Sequence, residues 1–362
     1  MSALFERPFD ALPEPDELVR ETMQWHFQPQ TGSPFWLRQK DQLPFDPLTD
    51  IRTVADLYRF PDVSSQWKHI AVEDLIPRGC RQEQAWEFSV FESGSTTGSP
   101  KRIIESTSRR RGIDWINSML TMHGIPEQGH WLHIGPTGPH IVGRSIGLVA
   151  HLRSSLCYYI DFDPRWVKKC IQQQRLDITK LYLDHIISQA VNALETQPIS
   201  MLFATPPVLE AICKRPEVLA LFQKRIRVLI WAGTSISTES LYLLEEEFFP
   251  DTKIIGWYGN TLMGIACQRP RVAEDTELCV FQPFYPYCLV DVVRPESPGE
   301  LVDYGEVGQV RMTLLTKELF VPNVLERDSA LRQKPVAGFA WDGLARIGTL
   351  DSARNQVIEG VY

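Results

Sequence analysis

Between residues 127 and 260 the chain alternates short apolar runs with longer amphipathic ones, and this alternation constrains the fold more than any other feature. Trp131 to Ile134, Leu156 to Ile160, Ser200 to Ala204, Val228 to Trp231 and Lys253 to Trp257 read as strands. Arg165 to Gln173, Ile178 to Leu194 and Thr238 to Phe248 read as helices. Pro206-Pro207 opens a further helix, because the fixed φ of proline suits the first helical turn. Strands that alternate with helices predict a mostly parallel sheet covered on both faces. Upstream, Asp16 to Phe27 has Leu18, Val19, Met23 and Phe27 at helical spacing, and Ser106 to His123 reads as a helix ending at Gly124. The stretch from 28 to 66 is rich in Pro and Asp, with short helical pieces between turns. Downstream, Tyr287 to Val293 and Gln309 to Leu315 read as strands of a β-rich subdomain. The expected class is therefore α/β, a large domain of mostly parallel sheet and helices with a β-rich part.

Charge and composition narrow the partners. A formal net charge of −8 argues against a nucleic-acid binder, whose phosphate contacts need a basic surface. Arg109, Arg110 and Arg111 are expected on the solvated face of a helix, with polyanion binding as the alternative. No run approaches the roughly 18 apolar residues of a membrane span, and the acidic, proline-bearing stretch Met1 to Pro15 does not read as a signal peptide. Seven cysteines without CxxC or Cys/His spacing read as reduced thiols of a cytoplasmic protein, not as a metal site.

The chemistry starts at Ser93-Gly94-Ser95-Thr96-Thr97-Gly98-Ser99-Pro100-Lys101. Glycines let the backbone approach a ligand closely, hydroxyls and amide N–H groups donate to anionic oxygens, and the lysine adds a point charge. Such a loop suits a polyphosphate, although a polar surface turn has the same composition. It is not a Walker A loop, for GxxxxGK is absent and Pro100 precedes the lysine. Three more segments follow in order. Ile230-Trp231-Ala232-Gly233-Thr234-Ser235-Ile236-Ser237 is a strand breaking at glycine, and Gly256-Trp257-Tyr258-Gly259-Asn260-Thr261 is an aromatic-glycine-polar turn. Last come Gly305-Glu306-Val307-Gly308-Gln309-Val310, Leu315-Thr316-Lys317-Glu318 and Pro322 to Asp328. In open α/β sheets ligands bind outside the carboxyl ends of strands, where the two turns lie.

Taken in this order, the four segments resemble the acyl-adenylate-forming superfamily of acyl-CoA synthetases, adenylation domains and luciferases. The likeness is greatest to the phenylacetate–CoA ligase-like branch, and it spans about residues 85 to 350. Length and the PNVLERD segment look most like the stand-alone adenylating proteins of griseoluteate-type phenazine antibiotic pathways. The resemblance implies an AMP-forming enzyme that uses ATP and Mg²⁺. It divides the chain into a helical and loop portion of the large domain (1–84), a nucleotide- and acid-binding portion (85–285) and a β-rich subdomain ending at the family hinge (286–362).

Roles follow by the same resemblance. Ser95, Thr96, Thr97, Gly98 and Lys101 match the loop that shields the β- and γ-phosphates. Gly233 and Thr234 match the turn along the adenine, Tyr258 with Gly259 the aromatic turn stacked on it, Thr261 the hydroxyl near the α-phosphate, and Asp328 the ribose-binding acid. Thr97, Lys101 and Thr261 are thus the expected catalytic residues. His133, Gly135, Thr137, His140 and Gly143 follow the strand near which relatives line the acyl site, with a structural role for His140 as the alternative. A core role for Tyr258 and a surface ion pair for Asp328 are the plain alternatives.

This chain departs from the pattern in several places. Leu262 stands where relatives carry a Glu that helps hold Mg²⁺, so the metal is expected on phosphates and water, with no protein metal site. Alignment near Asp328 needs a short deletion. Only eleven residues follow Asp351, where relatives continue into a small domain with a catalytic lysine, so weak adenylation alone is expected. Ten tryptophans, ten tyrosines and seventeen phenylalanines are ample for an aromatic acid pocket, though core packing explains most of them. The expected substrate is an aromatic carboxylic acid, specifically a phenazine dicarboxylic acid, with a partner reductase, carrier or acyltransferase taking the product and no nucleic acid or membrane involved. Three alternatives stay open. One is an aryl-CoA ligase-like enzyme needing a partner domain, and another is a nucleotide-binding scaffold without turnover. The third is a luminescence-type acyl-protein synthetase with a late acceptor cysteine, which the lack of any cysteine after Cys288 disfavours.

Overall fold

In the computed structural model, which describes residues 4–8, 11–81, 88–93 and 99–350, the apolar runs flanking the Ser/Thr/Gly segment pair as an antiparallel hairpin. Its strands are β1 (Ser89–Glu92) and β2 (Arg102–Glu105). The alternating stretch then forms β3 (His130–Gly135), β4 (Cys157–Asp161), β5 (Ile199–Ala204), β6 (Val228–Trp231) and β7 (Lys253–Asn260). These lie parallel in the order β4-β3-β5-β6-β7. Two further strands, β8 (Gly264–Gln268) and β9 (Phe281–Gln282), pair antiparallel to each other. The remainder is β10 (Cys288–Arg294), β11 (Ser297–Leu301), β12 (Val307–Leu315), β13 (Phe320–Gln333) and β14 (Gly343–Thr349). The expected α/β class, with a largely parallel sheet, is the class observed.

Two units divide the chain: residues 1–115, 260–264 and 283–343 in the first, and 116–259, 265–282 and 344–362 in the second. In the second unit the connection from β3 through helix Ile141–Leu152 to β4 runs one way along the sheet, and the return to β5 runs the other. Right-handed crossovers therefore place Ile141–Leu152 and the long helix Leu176–Thr196 on opposite faces. Between them β3, β5 and β6 are buried almost throughout, as expected for strands covered on both sides. The helix starting at Thr238 widens into a single π turn at Leu244–Phe248 before β7.

The first unit is an antiparallel sheet, β11-β10-β12-β13, with the N-terminal segment packed on it. Helix Pro15–Phe27 buries Leu18, Val19, Met23 and Phe27, the stripe its spacing predicts. Phe27, Trp36 and Phe60 each contact Phe320 of β13, with ring centroids 6.0, 5.0 and 5.1 Å apart. The Leu315-Thr316-Lys317-Glu318 motif occupies the β12–β13 turn, and the N-terminal helix grips it there. His26 Nε2 donates to the Thr316 carbonyl and Trp25 Nε1 to that of Lys317, both at 2.8 Å. The buried Glu318 carboxylate accepts the Ser108 N–H at 3.0 Å, capping the start of helix Thr107–Met122. On β10 and β12 the directly opposed Asp291 and Arg311 form a buried ion pair, and the guanidinium lies over the Tyr58 ring.

One expectation about this unit fails. Of the arginine run, Arg110 is exposed, but Arg111 lies over the Tyr287 ring, 4.3 Å from its centroid, and donates to the Phe5 carbonyl. The guanidinium is thus spent on holding residues within the unit, not on a solvated face. Among the described residues no helix is long and apolar enough to cross a membrane.

Candidate functional site

The first unit gathers a polar cluster around Lys101. Ser93 and Lys101 face each other just past the hairpin strands: the Ser93 N–H donates to the Lys101 carbonyl (2.9 Å) and the Lys101 N–H to the Ser93 hydroxyl (3.0 Å). These bonds clasp the base of the Ser/Thr/Gly segment, while Ser95, Thr96, Thr97 and Gly98 themselves fall outside the described residues. The half-buried Lys101 side chain donates through Nζ to the buried Ser64 hydroxyl at 2.6 Å. Burial holds this ammonium below the ordinary lysine range, while the neighbouring Glu326 and Asp62 carboxylates oppose that shift. Asp62 in turn accepts the N–H groups of Ser64 (2.8 Å) and Leu325 (3.4 Å), so it ties Lys101's partner to β13.

Asp328 sits in a bulge of β13. Gln309 pairs with Ser329 and Arg311 with Leu325, so Glu326, Arg327 and Asp328 together oppose Val310 alone. Bulges of this kind bend a strand and re-aim its side chains. Gln309 Nε2 donates to the Glu326 carbonyl at 2.7 Å and fixes the bulge. Glu326 lies within electrostatic reach of Lys101, Asp62 and Asp328, with the Asn260 carboxamide beside it. Burial first, and then the Asp328 carboxylate, push the Glu326 carboxyl up to about 7 against the opposing influence of Lys101.

Thr261 belongs to the same unit. Its side chain is buried and its hydroxyl donates to the Glu92 carbonyl at 3.1 Å, so it holds the end of β1 immediately before Ser93. Asn260 shapes this turn by accepting the N–H groups of Leu262 (2.8 Å) and Met263 (3.0 Å) on its carboxamide oxygen. Leu262, at the position where the resemblance places a metal-holding Glu, is only 4% exposed and part of the core. Among the described residues no group of three or more His, Cys, Asp or Glu side chains is placed to hold a metal. The described side chains here do not fit a protein-held magnesium ion.

In the second unit the remaining candidates lie at strand ends. Gly233 follows β6 with φ +98°, a left-handed conformation that favours glycine, and Thr234 is half-buried beside it. Tyr258 and Gly259 are near the end of β7, which pairs with β6. Tyr258 is buried with its ring 5.8 Å from Phe281 at 52°, whereas Gly259 is exposed.

The acid-site candidates cluster where the strand order reverses. Neighbouring β3 and β5 send their connections in opposite directions, the arrangement at whose carboxyl ends open α/β sheets bind ligands. His133 on β3 stacks against Phe203 on β5 at 4.8 Å and meets Tyr159 of β4 edge-on at 5.8 Å. It has no exposed surface; its Nε2 faces the Pro136 carbonyl at 3.3 Å, and burial holds its pKa down at about 4. Gly135 ends β3 beside this imidazole, and Thr137 donates through its N–H (3.0 Å) and hydroxyl (2.7 Å) to one oxygen of Asp161 at the end of β4. Gly143, in the first turn of helix Ile141–Leu152, lies under this loop: a Cβ there would stand 2.6 Å from the Pro136 oxygen and 2.8 Å from the Thr137 Cα. His140 is buried at the N-cap position of that helix.

Sequence reasoning passed over Glu326, Asp62, Ser64, Asn260 and Asp161. Glu326, Arg327 and Asp328, three consecutive charges in a predicted strand region, are a visible sign of a site, though not of the strand's register. Asp161 could be found as the acid ending a predicted strand. Nothing local marks Ser64, which reaches Lys101 only through the fold.

A scan against protein-family models and a search of curated proteins both return no match. Solved structures do match. One is a 2-hydroxyisobutyryl-CoA ligase in the postadenylation state with R3-HIB-AMP, 14% identical, at a TM-score of 0.66 over 93% of this chain and 67% of that one. Another is the same ligase with 2-HIB-AMP and CoA in the thioesterification state, 15% identical, at a TM-score of 0.67 over 95% of this chain and 72% of that one. This chain has the fold of an adenylate-forming ligase. At such identity the likeness concerns the backbone. It extends over both units of the adenylate-forming ligase fold described above.

Proposed function

We propose that this protein activates a carboxylic acid as its acyl-adenylate. The carboxylate oxygen attacks the α-phosphorus of ATP, the bond to the bridging oxygen breaks, and pyrophosphate leaves. One observation carries the reading: Lys101, half-buried and hydrogen-bonded to Ser64, stands at the clasped base of a hydroxyl- and glycine-rich segment. A desolvated ammonium so placed stabilises phosphate charge more strongly than one in water, and the reaction needs positioning and charge screening with little proton transfer. Thr97 and Ser95, Thr96 and Gly98 share the phosphates with Lys101. Thr261 orders the α-phosphate side by fixing the end of β1, Asp328 takes the ribose hydroxyls, and Gly233, Thr234, Tyr258 and Gly259 take the adenine. Magnesium enters with the nucleotide, bound to its phosphates.

For the acid we propose a planar aromatic carboxylate, with a phenazine dicarboxylic acid as the specific candidate. The aromatic packing of His133, Tyr159 and Phe203 beneath the carboxyl ends of β3 and β5 supports this choice. His133 acts there as a wall beneath Gly135 and Thr137, since none of its own surface is exposed. The mixed anhydride is consumed by a nucleophile or hydride donor, which we assign to a carrier, acyltransferase or reductase. Acid-dependent ATP–pyrophosphate exchange with Mg²⁺ tests the reading across aromatic, fatty and amino acids, with phenazine carboxylates included. Exchange with one aromatic class is the expected result; exchange only with aliphatic acids overturns the substrate assignment.

A second reading has one observation in its favour, the buried Leu262 at the expected metal-holding position. It is a nucleotide-binding scaffold without turnover. ATP binding without exchange for any acid would select it.

A further inference from the structure

We propose that Ser64 is a positioning residue for Lys101: its hydroxyl oxygen takes one of the three ammonium N–H donors and leaves the other two for the triphosphate. The inference deepens the proposed phosphate-binding role of Lys101 and rests on it. The observation behind it is a direct side-chain bond, Lys101 Nζ to Ser64 Oγ at 2.6 Å, between residues 37 apart in the sequence. Ser64 is only 2% exposed, so its oxygen is withdrawn from water and available to that ammonium. A lysine stem is flexible, and with water as its only partner it spreads the charge over many rotamers. A buried acceptor selects among them. Because this acceptor is neutral, it orients the ammonium without cancelling the charge that a phosphate needs, as a carboxylate in the same place would.

The segment around Ser64 is held in place from β12 and β13. Asp62 accepts the Ser64 N–H on one carboxylate oxygen (2.8 Å) and the Leu325 N–H on the other (3.4 Å), which ties Ser64 to β13. Earlier on β13, Asn323 adopts a left-handed conformation with φ +48°, a region that asparagine enters more readily than most residues. Its buried carboxamide donates to the carbonyls of Leu57 (2.7 Å) and Phe60 (2.9 Å), and its own N–H is held by the Thr313 hydroxyl of β12 at 3.0 Å. On the other side of Ser64, Trp67 is buried with its ring edge-on to Phe35, 6.1 Å between centroids. Anchors on both sides therefore fix the Ser64 oxygen before any ligand arrives. Residues 57–67 lie outside the four motif segments, so this stretch serves the phosphate side only through the fold.

Calorimetric titration of MgATP and of AMP into the wild type, Ser64→Ala, Lys101→Ala and the double variant tests this. Loss of the bond that orients a charged group should weaken MgATP binding about tenfold in Ser64→Ala. AMP, which has no β- or γ-phosphate, should bind Ser64→Ala as it binds the wild type. In the Lys101→Ala background the serine substitution should cost nothing further, because Ser64 acts through the ammonium. Ser64→Cys, which nearly keeps the shape but is a weak acceptor, should behave as Ser64→Ala does. Equal losses for ATP and AMP, additive losses in the double variant, or wild-type MgATP affinity in either serine variant would overturn the inference. Each of these leaves the role of Lys101 standing, provided that Lys101→Ala itself weakens MgATP. Wild-type affinity in Lys101→Ala, or no MgATP binding at all, overturns the phosphate role of Lys101 and this inference with it. Should Ser64→Ala not fold, Ser64→Cys carries the same comparison.

Discussion

At the scale of single residues, Asp328 and Lys101 offer the sharpest separation of roles. Both belong to the first unit's polar cluster, and the roles proposed for them set them on different parts of a nucleotide. Lys101 is tied through its backbone to Ser93 and through Nζ to Ser64, whereas Asp328 lies in the β13 bulge near Glu326. A carboxylate on the ribose contributes equally to every adenine nucleotide. Asp328→Ala should therefore weaken ATP and AMP alike, by about 10- to 100-fold, as expected for loss of a charged hydrogen bond. Binding of the two nucleotides followed by fluorescence or calorimetry checks this; a loss confined to ATP would move Asp328 off the ribose.

At the scale of elements, what was legible in the sequence depended on how local its cause is. The strands of the parallel sheet are apolar runs bounded by turn residues, and helix Pro15–Phe27 carries a clear apolar stripe, so both could be read directly. The β13 bulge could not, because register is set by the partner strand and no residue of 326–328 announces it. Helix Ile141–Leu152 was obscured for a different reason. Its first residues follow a Gly-Pro-Thr-Gly-Pro turn that reads as a ligand loop, and Gly143 weakens the helical signal. The fold explains that glycine: the loop's Pro136 oxygen and Thr137 Cα occupy the space of a Cβ. Both neighbours are backbone and cannot swing aside. Gly143→Ala should cost about 1–3 kcal/mol by overpacking despite alanine's better helix propensity, measurable as a lowered midpoint in urea. It should also disturb the Thr137–Asp161 contact, and with it acid-dependent exchange.

At the scale of the whole molecule, each unit encloses a fully buried histidine, and the two contribute to how stability responds to acid. His26 is sealed under the β12–β13 turn and donates to Thr316, while His133 is sealed between Phe203 and Tyr159. Burial lowers both from 6.5 to about 4, outweighing the backbone hydrogen bonds that raise them. In the unfolded chain each imidazole regains a pKa near 6.5. Between about pH 6.5 and 4 the unfolded state consequently binds more protons than the folded one, so stability falls as pH drops through that window. Above 6.5 neither histidine is protonated in either state, and below 4 the loss is complete. Each contributes up to about 3 kcal/mol of acid sensitivity. Urea unfolding at pH 7.5 and 5 should show a clear loss in the wild type, and His26→Phe should remove the share belonging to the first unit. His26→Phe sacrifices the bond to Thr316, so it should be less stable than wild type at pH 7.5 and should close that gap toward pH 5. A gap that stays constant across the window would mean that His26 is protonated inside the fold and that the Thr316 bond is made by a charged imidazole.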